Sequence, residues 1–97
     1  MGRYIGHFSN DAIPGRELIT SISANADKPF SAIVDIGIQL DSSKRIFLNG
    51  KEFFMSKTGF LEFRNVNITN IHVKNENDED ETRIPIIIDY VYIDKEE

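Results

Sequence analysis

Cysteine is absent from the 97 residues, and that absence excludes disulfides, zinc fingers, iron–sulfur clusters and thiol catalysis together. Long apolar runs are missing as well. Stretches such as Ile86-Ile87-Ile88 fall far below the roughly 18 residues that a membrane-spanning helix needs. Positive charge is in short supply: 11 basic residues against 16 acidic ones give a net charge of −5, which argues against a general nucleic-acid binder. No basic-then-apolar leader opens the chain, so no secretory signal is expected. No Gly-x-Ser-x-Gly elbow occurs, and no glycine-rich loop precedes a helix to cradle a phosphate. Met1-Gly2 would invite myristoylation, but position six is Gly6 instead of Ser or Thr. Asn67-Ile68-Thr69 fits the glycosylation pattern, yet without a secretion signal the match is read as chance.

What the chain has is β-branched and aromatic material. It holds 15 Ile and 4 Val against 4 Leu and 4 Ala, with 7 Phe and 3 Tyr. Such side chains fit a pleated surface and lose rotamer freedom in a helix. The length allows one domain, and the expected class is an all-β, small antiparallel β-sandwich or barrel of about six to seven strands with an extended N-terminal arm.

Period-two alternation carries the element assignment. From Phe30 to Leu40 the even positions read Phe, Ala, Val, Ile, Ile, Leu, and the odd ones are mostly polar or small. Asn49-Gly50 between Ile46-Phe47-Leu48 and Lys51-Glu52-Phe53-Phe54 predicts a hairpin with a type I′ turn. Phe60 to Phe63 reads as a strand after a turn at Ser56-Lys57-Thr58-Gly59. Asn65 to Lys74 reads as a strand whose apolar parity changes between Ile68 and Ile71, which predicts a bulge or break near Asn70. Ile84 to Ile93 is apolar at nearly every position, so a neighbour or the arm is expected to cover its second face. A first short strand is expected over Glu17 to Ser23, with Leu18, Thr20 and Ile22 on one face. Residues 1–16 hold Gly2, Gly6, Pro14 and Gly15 and read as an arm ahead of a domain at 17–97; an N-terminal strand closing its own sheet is the other reading.

No constellation builds a convincing catalytic site. The acidic run Asn75 to Glu81 offers hard oxygen ligands, but an EF-hand loop needs Gly and Glu where Asp80 and Ile86 stand, so a solvated loop is expected and no metal. Asp35, Glu62 and Asp89 lie in separate strands and are expected to face outward instead of converging for acid–base work. His7 and His72 have no third ligand at a useful spacing. Tyr90, Tyr92, Phe47 and Phe54 could form an aromatic platform, with Lys44, Arg45, Lys51 and Lys57 nearby; a core or subunit-interface role suits them better. No cofactor is expected.

The segments Ile33 to Gln39, Phe47 to Phe53, Lys57 to Phe63, Ile68 to Ile71 and Ile87 to Tyr92 form one pattern over about residues 30 to 93. The pattern resembles small β-rich accessory structural proteins of tailed bacteriophages and of phage-tail-like particles from low-GC Gram-positive bacteria. The resemblance implies a virion or particle component, made in the bacterial cytoplasm, and not an enzyme. Capsid decoration and a tail or baseplate accessory role both fit it. The implied partners are other particle structural proteins and further copies of the chain, with neither nucleic acid nor membrane. The residues point the same way: Tyr4, Ile5, Phe8 and Ile13 in the arm, with Ile87, Val91 and Ile93 in the final strand, are the expected interface. The competing class is a carbohydrate- or host-surface-binding β-sandwich module, which would carry exposed aromatics on loops.

Overall fold

The computed structural model describes residues 2–55 and 59–94. Among the described residues seven strands and one short helix follow in the order β1 (Arg3–Ala12), α1 (Ile19–Ala24), β2 (Phe30–Leu40), β3 (Lys44–Leu48), β4 (Lys51–Met55), β5 (Phe60–Phe63), β6 (Ile71–Asn75) and β7 (Ile84–Asp94). They form a four-stranded sheet ordered β1-β7-β2-β5 and a three-stranded sheet ordered β4-β3-β6, with every pairing antiparallel. Ile36, Ile38, Ile86 and Ile88 from the first sheet and Ile46, Leu48 and Val73 from the second belong to one buried cluster. The expected small all-β sandwich is the architecture observed.

The alternation in β2 places Ala32, Val34, Ile36, Ile38 and Leu40 inside. Two irregularities, between Phe30 and Ala32 and between Ile33 and Asp35, also turn Ile33 into the core. The hairpin turns at Asn49 and Gly50, with φ of 52° and 81°, as a type I′ turn demands. The parity change before Ile71 is a change of sheet. Ile68 exchanges backbone hydrogen bonds with Ile33 of β2, at 2.9 and 3.1 Å, and three residues later the chain pairs with β3. The turn expected at Ser56–Gly59 falls mostly on residues outside the described ones.

Two expectations need correcting. The strand expected over Glu17–Ser23 is the helix α1. Leu18 and Ile22 are four apart, so they share a helical face as readily as a strand face, and both are buried. Glu17 fixes the helix start: its Oε1 accepts the N–H of Ile19 at 3.0 Å and that of Ile71 at 2.7 Å. The Tyr90 hydroxyl donates to the carbonyl of Ile22 at 3.4 Å and ties the helix to β7; burial, with smaller contributions from Tyr92 and Asp27, pushes that phenol's pKa up.

The second correction concerns the arm. Most of residues 1–16 form β1, which pairs with β7 in unbroken register from Arg3↔Ile93 to Ala12↔Ile84. Phe8 is only 4% exposed and Ala12 is fully buried, so this segment supplies the core of its own domain. The glycine that suggested an irregular lead-in has another role: a Cβ on Gly6 would run into the Tyr90 ring, its cross-strand partner. The cover expected over the second face of β7 is not found among the described residues, because β1 and β2 meet its edges and not that face. One face is buried, while Pro85, Ile87 and Asp89 on the other face are exposed.

Two measurements check this account. In denaturant titrations Gly6→Ala should lower stability by about 1–3 kcal/mol through overpacking against Tyr90, and Gly50→Val by about 1 kcal/mol or more through its positive φ. Deleting residues 1–14 removes Phe8 and Ala12 from the core and bares β7; circular dichroism should then show loss of cooperative unfolding, whereas a folded remnant would restore the arm reading.

Candidate functional site

The longest strand edge left open belongs to β1. Among the described residues β1 pairs with β7 alone, over its full ten residues. The direction of its free groups follows from one bond. Asp94 N–H donates to Gly2 carbonyl oxygen at 3.1 Å, which makes Gly2–Asp94 a hydrogen-bonded pair of the antiparallel ladder. Such pairs recur at every second residue, so Tyr4, Gly6, Phe8 and Asn10 bond to β7. The N–H and C=O groups of Arg3, Ile5, His7, Ser9 and Asp11 point away from the sheet. The N–H of Asp11 meets the Oδ1 of Asn10 at 2.8 Å.

The other edges are shorter or covered. β5 has four residues and β4 has five. The edge of β6 is met by the preceding loop, where Gly15 N–H donates to Val73 at 2.8 Å and Leu18 N–H to Ile71 at 2.7 Å. Natural sheets blunt a long edge with lysine, proline or a bulge. Within Arg3–Ala12 there is no lysine or proline, and its register shows no bulge.

The outer face of the four-stranded sheet adjoins this edge, and cross-strand register arranges it in rows. Phe60, Gln39, Ile87 and Ser9 form one row; Glu62, Gly37, Asp89 and His7 form the next; Asp35, Val91 and Ile5 form a third. The middle row carries the paired Asp89 and His7 together with Glu62, and the flanking rows place Phe60 and Ile87 on one side and Val91 and Ile5 on the other among polar Gln39, Ser9 and Asp35. Ile5 is 85% exposed, Phe60 59% and Ile87 39%, while Val91 and Ile93 are half-buried. Phe60 lies over Gly37, where a Cβ would come within 2.9 Å of its ring.

Of the expected interface residues, Ile5, Ile87, Val91 and Ile93 come together on this face. Phe8 belongs to the core. Tyr4 is half-buried on the inner face, its ring centroid 5.5 Å from that of Tyr92. Ile13 lies beyond the strand and is 40% exposed. Phe60 was not foreseen, because the four residues Phe60-Leu61-Glu62-Phe63 do not reveal which parity faces out.

The remaining candidates serve local order. Asp89 pairs with His7 across β1 and β7, Oδ1 to Nδ1 at 2.6 Å, with both side chains exposed. Asp35 accepts the N–H of Asn65 at 2.7 Å, where the chain takes a positive φ of 56°. Glu62 pairs with Arg64 at 3.4 Å. The four aromatics do not form one platform: Tyr90 and Tyr92 are in the core, and Phe47 and Phe54 lie in the second sheet. There Phe47 stacks on His72, 4.4 Å between centroids. Arg45 is held by Glu52 at 2.6 Å and by Asp78, ion pairs that raise its pKa, Glu52 most of all.

The acidic loop is built around a buried asparagine. Asn75 Nδ2 donates to the carbonyls of Asp80 at 2.9 Å and Thr82 at 2.8 Å. Asp80 accepts the N–H of Thr82 at 2.9 Å, and hydrogen bonding from Thr82 lowers its pKa. Of the loop carboxylates, Asp78 engages Arg45 and Asp80 the backbone, and no group of three His, Asp or Glu among the described residues is placed to hold a metal ion. Calorimetry with millimolar calcium should show no saturable heat with Kd below about 10 µM, where sensor sites fall; a tight stoichiometric isotherm would make these residues ligands.

No family model, curated protein or solved structure matches this chain.

Proposed function

We propose that the chain is a non-enzymatic structural component of a phage virion or phage-tail-like particle, in capsid decoration or as a tail or baseplate accessory. It joins its neighbours through the β1 edge and the outer face beside that edge. The observation that carries this reading is the ten-residue strand β1 with one whole row of backbone groups unpaired by any strand among the described residues. A free edge is a template for strand addition, and main-chain hydrogen bonds supply affinity that side-chain pockets then make specific. Ile5, Ile87 and Phe60 add apolar surface next to it. Burying a fully exposed side chain of this size contributes about 1.5–3 kcal/mol before ordering costs. Phe8 and most of Tyr4 already serve their own core, so the contact rests on backbone pairing and the outer face, not on an inserted arm.

The carbohydrate-binding alternative is less well supported. Phe54 and Phe60, the two most exposed aromatics, lie within strands of different sheets and not on a shared loop.

The test is co-expression with the genes that flank its own, followed by gradient purification of the particles and quantitative mass spectrometry. The chain should be present at a fixed copy number, and Ile5→Lys with Ile87→Lys should lower that number at least about tenfold while leaving the fold intact. Particles that form without the chain in them would contradict the reading.

A further inference from the structure

We infer that the partner on the β1 edge is a second copy of this chain, paired β1 to β1 in antiparallel register about His7. The inference rests on the assembly reading above and names the partner at that same site.

The outward groups fix which registers are open. Only Arg3, Ile5, His7, Ser9 and Asp11 direct N–H and C=O to the open side, so these must face one another across the new seam. A two-fold axis through His7 sets Arg3 against Asp11, Ile5 against Ser9 and His7 against itself. Every outward residue of the strand then has an outward partner. Shifting the axis to the neighbouring allowed positions, Gly6 or Phe8, leaves part of the strand overhanging.

Charge selects the same register. Arg3 and Asp11 stand at opposite ends of β1, on the same face, and neither has an ion-pair partner among the described residues. The antiparallel pairing brings them together twice, once at each end of the seam. Apart from His7 they are the only titratable outward residues of the strand, so the edge is neutral in a chain of net charge −5 and repulsion does not guard it. On the inner face Tyr4 meets Asn10 of the second copy and Gly6 meets Phe8, large against small. The Asn10 side chain, which holds the Asp11 N–H in the free chain, gives way to the carbonyl of Arg3. The pairing is isologous, as a two-fold interface must be, and it joins the two four-stranded sheets into one.

Cysteine scanning reads the register, because the chain has no cysteine of its own. In His7→Cys the two sulfurs face each other across a hydrogen-bonded pair with Cα atoms about 5.5 Å apart, inside the disulfide range. In Ile5→Cys the two positions lie four residues apart along the seam, about 13 Å at the usual rise per residue. Mild oxidation of the folded full chain should therefore link His7→Cys to itself and Ile5→Cys to Ser9→Cys, and leave Ile5→Cys alone unlinked. In sedimentation, Arg3→Asp should weaken the dimer about tenfold and Arg3→Asp with Asp11→Arg should restore it, with circular dichroism unchanged in each. Ile5→Cys linking to itself as readily as His7→Cys would overturn the pairing. So would a chain that sediments as a monomer at every concentration. A monomer that still enters particles overturns the self-pairing and leaves the particle reading standing. A dimer in this register that never enters particles supports the pairing and sinks the particle reading.

Discussion

Strand β7 is the constraint on which the rest of the sandwich depends. It is paired on both sides, by β1 from Ile84 to Ile93 and by β2 from Ile86 to Asp94, and its inward residues Ile84, Ile86, Ile88, Tyr90 and Tyr92 are all buried. Tyr90 sets the terms for its neighbours. Its ring occupies the space above Gly6 and its hydroxyl reaches the carbonyl of Ile22, so one side chain couples β1, β7 and α1. The N-terminal segment cannot be an appendage under those conditions, because without it β7 loses a flanking strand and the core loses Phe8.

An open sheet must end somewhere, and here the ends are treated unequally. Glu17, Gly15 and Leu18 close the edge of β6 with hydrogen bonds to Ile71 and Val73. β4 and β5 are too short to template much pairing. β1 is long, regular in register, free of lysine and proline, and electrically neutral. An edge of that kind in a chain of net charge −5 is the feature on which the proposed assembly role rests.

The sequence was most legible where local chemistry admits one answer. Asn49-Gly50 requires positive φ at both positions, and the alternation of β2 admits one inward face. The parity break before Ile71 was legible as a break, although not as a change of sheet, because that depends on Ile68 finding Ile33 far away in the chain. Two readings failed for physical reasons. Leu18 and Ile22 satisfy both periods over so short a span, and tertiary burial chose the helix. Gly2, Gly6, Pro14 and Gly15 look like loop punctuation, yet Gly6 is small because Tyr90 needs the space, a cross-strand fact that local sequence does not carry. The outer face was half legible. Ile87, Val91 and Ile93 stand out in an apolar strand, whereas Phe60 reaches that face only through the register of β5 on β2.

The central claim is that the outward backbone groups of β1 are paired in the assembled state and free in the isolated chain. Residue-resolved amide hydrogen exchange measures this directly. In dilute solution the amides of Tyr4, Gly6 and Phe8 should be protected by β7 while those of Ile5, His7 and Ser9 exchange freely. On assembly the second set should become protected and the first should stay as it was. Ile5, His7 and Ser9 still exchanging freely in the assembled state would contradict the account.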